Sequence, residues 1–213
     1  MVVHGDGDSD ADLLDAWAAG NRDAGGELFR RHFRSVFRFF CNKLSVGSED
    51  LVQQTFLACV ESHTRFRGEA GFRTFLLAMA RNVLHNEYRR RRRKDDRVDF
   101  MTHSVMDLAP SATSVVAEKE EQRLLLAALR QIPLDYQIAI ELQLWEGLTG
   151  PQMEEVLGLA EPGVRSRLAR AKLALKKQLE RLSESPSLLA STTSNLEQWA
   201  ASLRDVTGGS APS

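Results

Sequence analysis

Apolar residues return every third or fourth position along almost the whole of this chain, a period that admits α-helices and little else. A short amphipathic stretch at 10–19 and a polar, Gly-containing link at 20–26 lead to a helix over 27–44, where Phe29, Phe33, Phe37 and Phe40 form a core stripe. Ser48 is placed to cap the next helix, whose apolar face is Leu51, Val52, Thr55, Phe56, Cys59 and Val60. A loop at 65–71 precedes a long helix from about Phe72 to Arg93, with Phe72, Phe75, Leu76, Met79, Val83 and Leu84 facing inward and the cations Arg89 to Lys94 at its end.

From Asp95 to Ala117 the period fades into acidic, Ser, Thr, Met and Pro residues, the composition of a linker. Helical pattern resumes at 118–131, stops at Pro133, and continues from Tyr136 to Trp145. Thr149 and Pro151 then open a short helix that Gly158 closes, and Pro162 opens a longer one to Leu182, the layout of a helix-turn-helix. The fold class is therefore all-α: two small helical domains, 10–94 and 118–182, an extended linker at 95–117, and a C-terminal extension at 183–213. In that extension Ser194 and Glu197 have capping-box spacing, and Leu196, Trp199, Ala200 and Leu203 share a face. A docking helix and a frayed tail are both consistent with this pattern.

Charge is sorted along the chain although its total is only −1. Residues 29–94 carry net +10 and 161–181 net +5, while 1–28 carry −6, and 95–123 and 124–160 carry −4 each. Two basic islands in acidic surroundings suit a nucleic-acid binder with segregated surfaces. The longest apolar runs reach 6 residues, against about 20 for a membrane span, and the acidic N-terminus is unlike a signal peptide, so a cytoplasmic location is expected. Cys41 and Cys59 make no disulfide framework and read as buried, inert thiols. The five His are scattered, with no metal-ligand spacing, phosphate loop or nucleophile elbow. No catalytic site, metal or cofactor is expected.

In the second helix of the helix-turn-helix, Val164, Leu168, Ala171 and Leu175 form the apolar face, leaving Arg165, Ser166, Ala169 and Arg170 for a major groove. Arg chelates guanine O6 and N7, and Ala meets a thymine methyl; Lys172, Lys176 and Lys177 suit phosphates. A solvated basic face on an ordinary helical hairpin is the bland reading. On the long helix Asn82, His85, Asn86 and Arg89 form a polar stripe opposite the apolar one, preceded by the interleaved cations and aromatics Arg65, Phe66, Arg67, Phe72, Arg73 and Phe75. That mixture suits single-stranded nucleic acid, whose bases stack on rings while guanidinium groups hold the backbone. For Phe72 and Phe75, which share the apolar face, core phenylalanines with surface arginines are the favoured reading.

These residues resemble a family. Glu49-Asp-Leu-Val-Gln-Gln-Thr-Phe56, with 65–76 and Ala80-Arg81-Asn82, is similar to region 2 of bacterial sigma factors. Ile132-Pro133, Trp145-Glu-Gly-Leu-Thr149, Val156-Leu-Gly-Leu159 and Gly163 to Ala171 are similar to region 4. The short linker resembles the compact extracytoplasmic-function (ECF) group of the sigma-70 family. The resemblance implies a non-enzymatic specificity subunit of core RNA polymerase. Its core-binding surface would be Asp50, Gln53, Gln54 and Phe56, against the clamp helices of the largest subunit, with region 4 on the flap of the second. Promoter −35 duplex would meet Arg165, Ser166, Arg167, Ala169, Arg170 and Lys172. The opened −10 element would meet Arg65, Phe66, Arg67, Phe72, Arg73, Asn82, His85, Asn86 and Arg89. An anti-sigma factor is a candidate partner; no small-molecule substrate is implied.

Four positions depart from the family pattern: Gln54 replaces the usual acid, Phe75 a common Trp, Asn86 a usual Asp, and Glu154 a small Ala. A Glu facing a partner helix would cost energy if buried unpaired, so a rotated helix or a pairing arginine is expected. The alternative function is a helix-turn-helix regulator of duplex DNA acting without polymerase, and a third class is an adaptor that kept the fold.

Overall fold

The computed structural model describes residues 9–44, 47–62, 71–94, 120–183, 186, 189 and 190. Among them lie α1 (Asp10–Ala18), α2 (Arg22–Cys41), α3 (Ser48–Ser62), α4 (Phe72–Lys94), α5 (Glu120–Arg130), α6 (Leu134–Leu144), α7 (Gly150–Leu157) and α8 (Glu161–Leu182). The expected linker at 95–117, the loop residues Arg65, Phe66 and Arg67, and the segment carrying Leu196 and Trp199 lie outside the described residues.

Local chemistry sets the helix starts. Ser9 caps α1 reciprocally: its Oγ accepts from Asp12 N at 3.2 Å, and its own N–H donates to Asp12 Oδ2 at 3.0 Å. Asn21 caps α2 by accepting from Asp23 N and Ala24 N at 3.0 and 3.3 Å. This helix starts five residues earlier than its glycines suggest. Gly25 belongs inside it because Trp17 lies so close that a Cβ would meet the indole ring at 2.9 Å. At α7, Thr149 N donates to Gln152 Oε1 at 2.9 Å, and Gly158 ends the helix with φ +63°, the left-handed conformation a C-cap glycine supplies.

The α2 stripe is rotated from its sequence reading. Ala24, Gly25, Leu28, Val36, Phe39 and Phe40 are buried, Phe29 and Phe37 are half-buried, and Phe33 is 45% exposed. Cys59 is fully buried, whereas Cys41 is only half-buried. Burial pushes the Cys59 thiol up to about 12, so it stays protonated and unreactive.

Two apolar clusters hold the chain. The smaller joins α5, the end of α6 and the C-terminal half of α8 through Leu125, Leu129, Trp145, Ala171, Leu175 and Leu179. The larger begins in α1–α4, with Leu28, Phe40, Leu76 and Leu84, and continues into the second domain through Leu134, Ile138, Leu142, Met153, Val156 and Val164. α7 packs along α4, so the two domains share one core.

Candidate nucleic-acid and polymerase interfaces

The second helix of the helix-turn-helix, α8, buries Val164, Ala171, Leu175 and Leu179 and turns Arg165, Ala169, Arg170, Lys172, Lys176 and Lys177 to solvent. Arg165 Nη2 donates to Glu161 Oε2 at 3.0 Å and Arg170 Nη2 to Ser166 Oγ at 2.7 Å, so both guanidinium groups are held along the helix axis before any ligand arrives. Ser166 is half-buried on the wall of a 480 Å³ cavity with Asp135, Tyr136, Gly163, Arg167 and Arg170. Arg167 differs from its neighbours: it turns inward, with Nη1 3.2 Å from Asp135 Oδ2 at the start of α6. Glu154 is half-buried, so α7 tolerates it at the rim of the hairpin.

The polar stripe of α4 is split. Asn82, Asn86 and Arg89 are exposed, and Phe72 is a core residue. His85 is buried, its Nε2 3.5 Å from Asp135 Oδ1. Burial and the nearby charge of Arg81 depress the His85 imidazole to about 4, so it is neutral at physiological pH. His85 Nε2, Arg81 Nε, Asp135 Oδ1 and Arg167 Nη1 are all buried without a hydrogen-bond partner, leaving three nitrogen side chains around one carboxylate. Arg90 and Arg91 bind Glu87 at 2.7–2.8 Å, which holds that carboxyl below its ordinary range, while Arg89 is exposed at the end of the stripe.

Arg73 does not face solvent freely. One Nη2 donates to the Glu146 carbonyl at 2.7 Å and to its carboxylate. Ser35 Oγ and Arg38 Nη2 donate to the same carboxylate at 2.6 Å each. Glu146 itself is 5% exposed; burial raises its carboxyl, but Arg38 and Arg73 outweigh this and hold it below the ordinary range. Beside this hub, Lys43 pairs with Glu141, donates to Phe39 O at 2.7 Å and lies 3.9 Å over the Phe39 ring. Gln137 Nε2 completes the set by donating to Asn42 O at 3.2 Å and to Glu141 Oε1 at 3.1 Å. Ser35, Arg38, Lys43, Glu141 and Glu146 escaped sequence reading; the complementary charges of 29–94 and 124–160 were the available signal.

On the opposite side of α2 and α3, Asp50, Gln53 and Gln54 are exposed. Phe56 is half-buried in an apolar groove of 340 Å³ with Phe29, Phe33, Val52, Leu57 and Val60. Leu57 and Val60 are exposed rims that sequence periodicity placed in the core or did not single out. Among the described residues no group of three His, Cys, Asp or Glu is placed to hold a metal ion, and no helix is long and apolar enough to cross a membrane.

A helix-turn-helix presenting cations on its second helix, packed on a basic four-helix domain with an exposed acid and amide face, has the segregated charge of the nucleic-acid-binding class of helical proteins. Sequence profiles divide the chain in the same way, with sigma-70 region 2 matching residues 28–94 and sigma-70 region 4 matching 122–175. The chain belongs to the ECF group of the sigma-70 family and is an RNA polymerase sigma factor. It is 30% identical to the ECF RNA polymerase sigma factor SigM of Mycobacterium tuberculosis over 173 residues, 80% of this chain and 85% of that protein. It is 27% identical to the ECF sigma factor SigX of Bacillus subtilis over 152 residues, 70% of this chain and 78% of that one. In fold it is similar to CnrH, solved with the cytosolic domain of CnrY, at a TM-score of 0.60 and 24% identity, covering 83% of this chain and all of that one.

Proposed function

We propose that this sigma factor binds core RNA polymerase through Asp50, Gln53, Gln54 and Phe56, reads promoter −35 duplex with α8, and captures the opened −10 strand with region 2. The observation that carries this reading is the division of α8 into a buried apolar side and an outward side bearing Arg165, Ala169, Arg170 and Lys172. Arg165 and Arg170 suit guanine edges, Ala169 a thymine methyl, Lys172 a phosphate. Exposed Asp50, Gln53 and Gln54 offer polar contacts around the Phe56 groove, the arrangement of a docking face with an apolar centre, and suit the clamp helices of the largest subunit; region 4 would rest on the flap of the second.

Region 2 would open DNA by binding, without hydrolysis. Unstacking a base costs a few kcal/mol, and a site that accepts only the extruded form recovers it. Asn82, Asn86 and Arg89 are exposed on α4 for that strand, and Arg65, Phe66 and Arg67, which precede α4 in sequence, would join them. An anti-sigma factor is a fitting regulator, because CnrH was solved with CnrY, and RpoE, similar in fold at a TM-score of 0.58, with the anti-sigma factor NepR from Bartonella quintana.

The test is co-elution with bacterial core polymerase at near-physiological salt, followed by probing unpaired thymines on a promoter library. Polymerase-dependent strand opening is the expected result. Duplex binding with no polymerase association would instead establish a helix-turn-helix regulator.

A further inference from the structure

The start of α6, the α7–α8 turn and the first half of α8 border the 480 Å³ cavity on whose wall Ser166, Arg167 and Arg170 lie. Small-molecule sites occupy about 300–1,000 Å³. The lining is of two kinds. Pro133, Leu159 and Tyr136 are apolar or aromatic, whereas Ser166, Arg167 and Arg170 bring a hydroxyl and two guanidinium groups. Gly163 also lines the space, and a Cβ there would come within 3.4 Å of Leu159 Cβ, so a larger residue would narrow it.

The charges around the cavity favour an anion. Its wall holds one carboxylate, Asp135, and Arg167 Nη1 lies 3.2 Å from Asp135 Oδ2, so that pair is balanced and Arg170 is in excess. Arg81 adds a further cation close enough for the charges of Asp135 and Arg167 to act on it. Arg170 is exposed, yet its Nη2 donates to Ser166 Oγ at 2.7 Å, which holds the guanidinium at the cavity wall. Ser166 accepts in that bond and keeps its own O–H to donate. Arg167 Nη1 is buried without a hydrogen-bond partner, the kind of donor an oxyanion satisfies. Guanidinium forks match phosphate oxygens in geometry as well as charge.

We propose that this cavity is a binding site for a small phosphate monoester carrying a flat apolar group. The phosphate is held by Arg170, Arg167 and the Ser166 hydroxyl, and the flat group lies against Tyr136, Pro133 and Leu159. Ser166, Arg167 and Arg170 are also expected at the −35 duplex, so a bound ester competes with promoter DNA. That competition rests on the proposed role of region 4; the site itself does not.

The probe is phenyl phosphate, titrated into the full chain and followed through the amide NMR shifts of residues 163–170. Saturable binding is expected, at least about tenfold tighter than that of inorganic phosphate, because burial of the ring adds to the charge-assisted bonds. Arg170→Gln should weaken phenyl phosphate about tenfold, and Arg34→Gln, the same loss of charge on α2 and outside the cavity, should leave it within about twofold of wild type. Absence of a saturable shift overturns the proposal. Equal affinity for inorganic phosphate does so too, since the cavity would then be a seat for any oxyanion, a DNA backbone phosphate included. An equal loss in both variants would reduce the binding to general charge attraction and overturn it as well. Binding of polymerase holoenzyme to a labelled promoter duplex is then compared with and without saturating phenyl phosphate, and a loss of at least about fivefold is expected. Unchanged duplex affinity would overturn the competition. Absence of duplex binding in either condition would sink the region 4 reading, and the NMR titration alone decides the site.

Discussion

Lys43 and Glu141, 98 residues apart, form an ion pair across the two domains with side chains 0% and 4% exposed. Burial pushes the Lys43 ammonium down and the Glu141 carboxyl up, and each charge counters the shift of the other. Removing one partner strands the other. Glu141→Ala is therefore expected to cost about 3–5 kcal/mol in urea unfolding, whereas Lys43→Met combined with Glu141→Leu should stay within about 1 kcal/mol of wild type or exceed it. Equal losses in the single and double variants would show that the pair's environment, not its charge, matters.

His85 makes the stability of the fold sensitive to mild acid. Its imidazole lies near 4 in the folded chain, faced by Arg81, Arg89, Arg167 and Asp135, against about 6.5 when unfolded. The unfolded state thus binds a proton that the folded state refuses, and stability falls as pH drops from about 6.5 to about 4. The full shift is worth on the order of 3 kcal/mol. Glu141, raised by burial, acts with the opposite sign in acid, so the prediction concerns the difference between wild type and His85→Gln: the variant should have the shallower slope of stability against pH. An NMR titration midpoint for His85 near 6.5 would refute it.

Arg165 is exposed and braced by the exposed Glu161. Arg165→Ala should weaken binding of polymerase holoenzyme to its preferred −35 duplex by about 1–3 kcal/mol and relax discrimination there. A uniform loss across single-base variants of the site would reduce Arg165 to a phosphate contact.

Adjacent glycines in α2 should respond with opposite signs. At Gly25 a Cβ meets Trp17, which itself packs edge-on against Phe29 and Phe72 at 5.4 and 6.4 Å, so Gly25→Ala displaces a ring at the junction of three helices. A loss of about 1–3 kcal/mol is expected. Gly26 has open space around its Cβ position, and Gly26→Ala should gain up to about 1 kcal/mol from helix propensity. Thermal melts of the two variants decide this directly.

What the sequence disclosed is what depends on neighbours within one helix. The helix-turn-helix was readable because Thr149, Gly158 and the spacing of Val164, Ala171 and Leu175 act locally. The exposure of Asp50, Gln53 and Gln54 followed from the same period. Partners brought in from the other domain were not readable. His85 shares a stripe with Asn82 and Asn86 in sequence, yet region 4 covers it and leaves them bare. Phe33 belongs to an apolar period, but α2 is turned so that Phe39 and Phe40 take the core and Phe33 lines a groove. Glu141 and Glu146 look like ordinary surface acids until Lys43, Arg38 and Arg73 arrive from 73 to 108 residues away.

The larger apolar cluster, running from Leu28 and Phe40 into Ile138, Met153 and Val164, does not respect the boundary at which the chain divides into regions. A cut between the two regions, with the second half exchanged, would leave the region 2 face of this core opposite an α6 and α7 from another chain. A chimera keeping region 2 of this chain would bring Lys43 and Phe40 to a foreign α6, so its viability turns on what stands opposite at 138, 141 and 146. For this protein the unit of packing is larger than either sequence region.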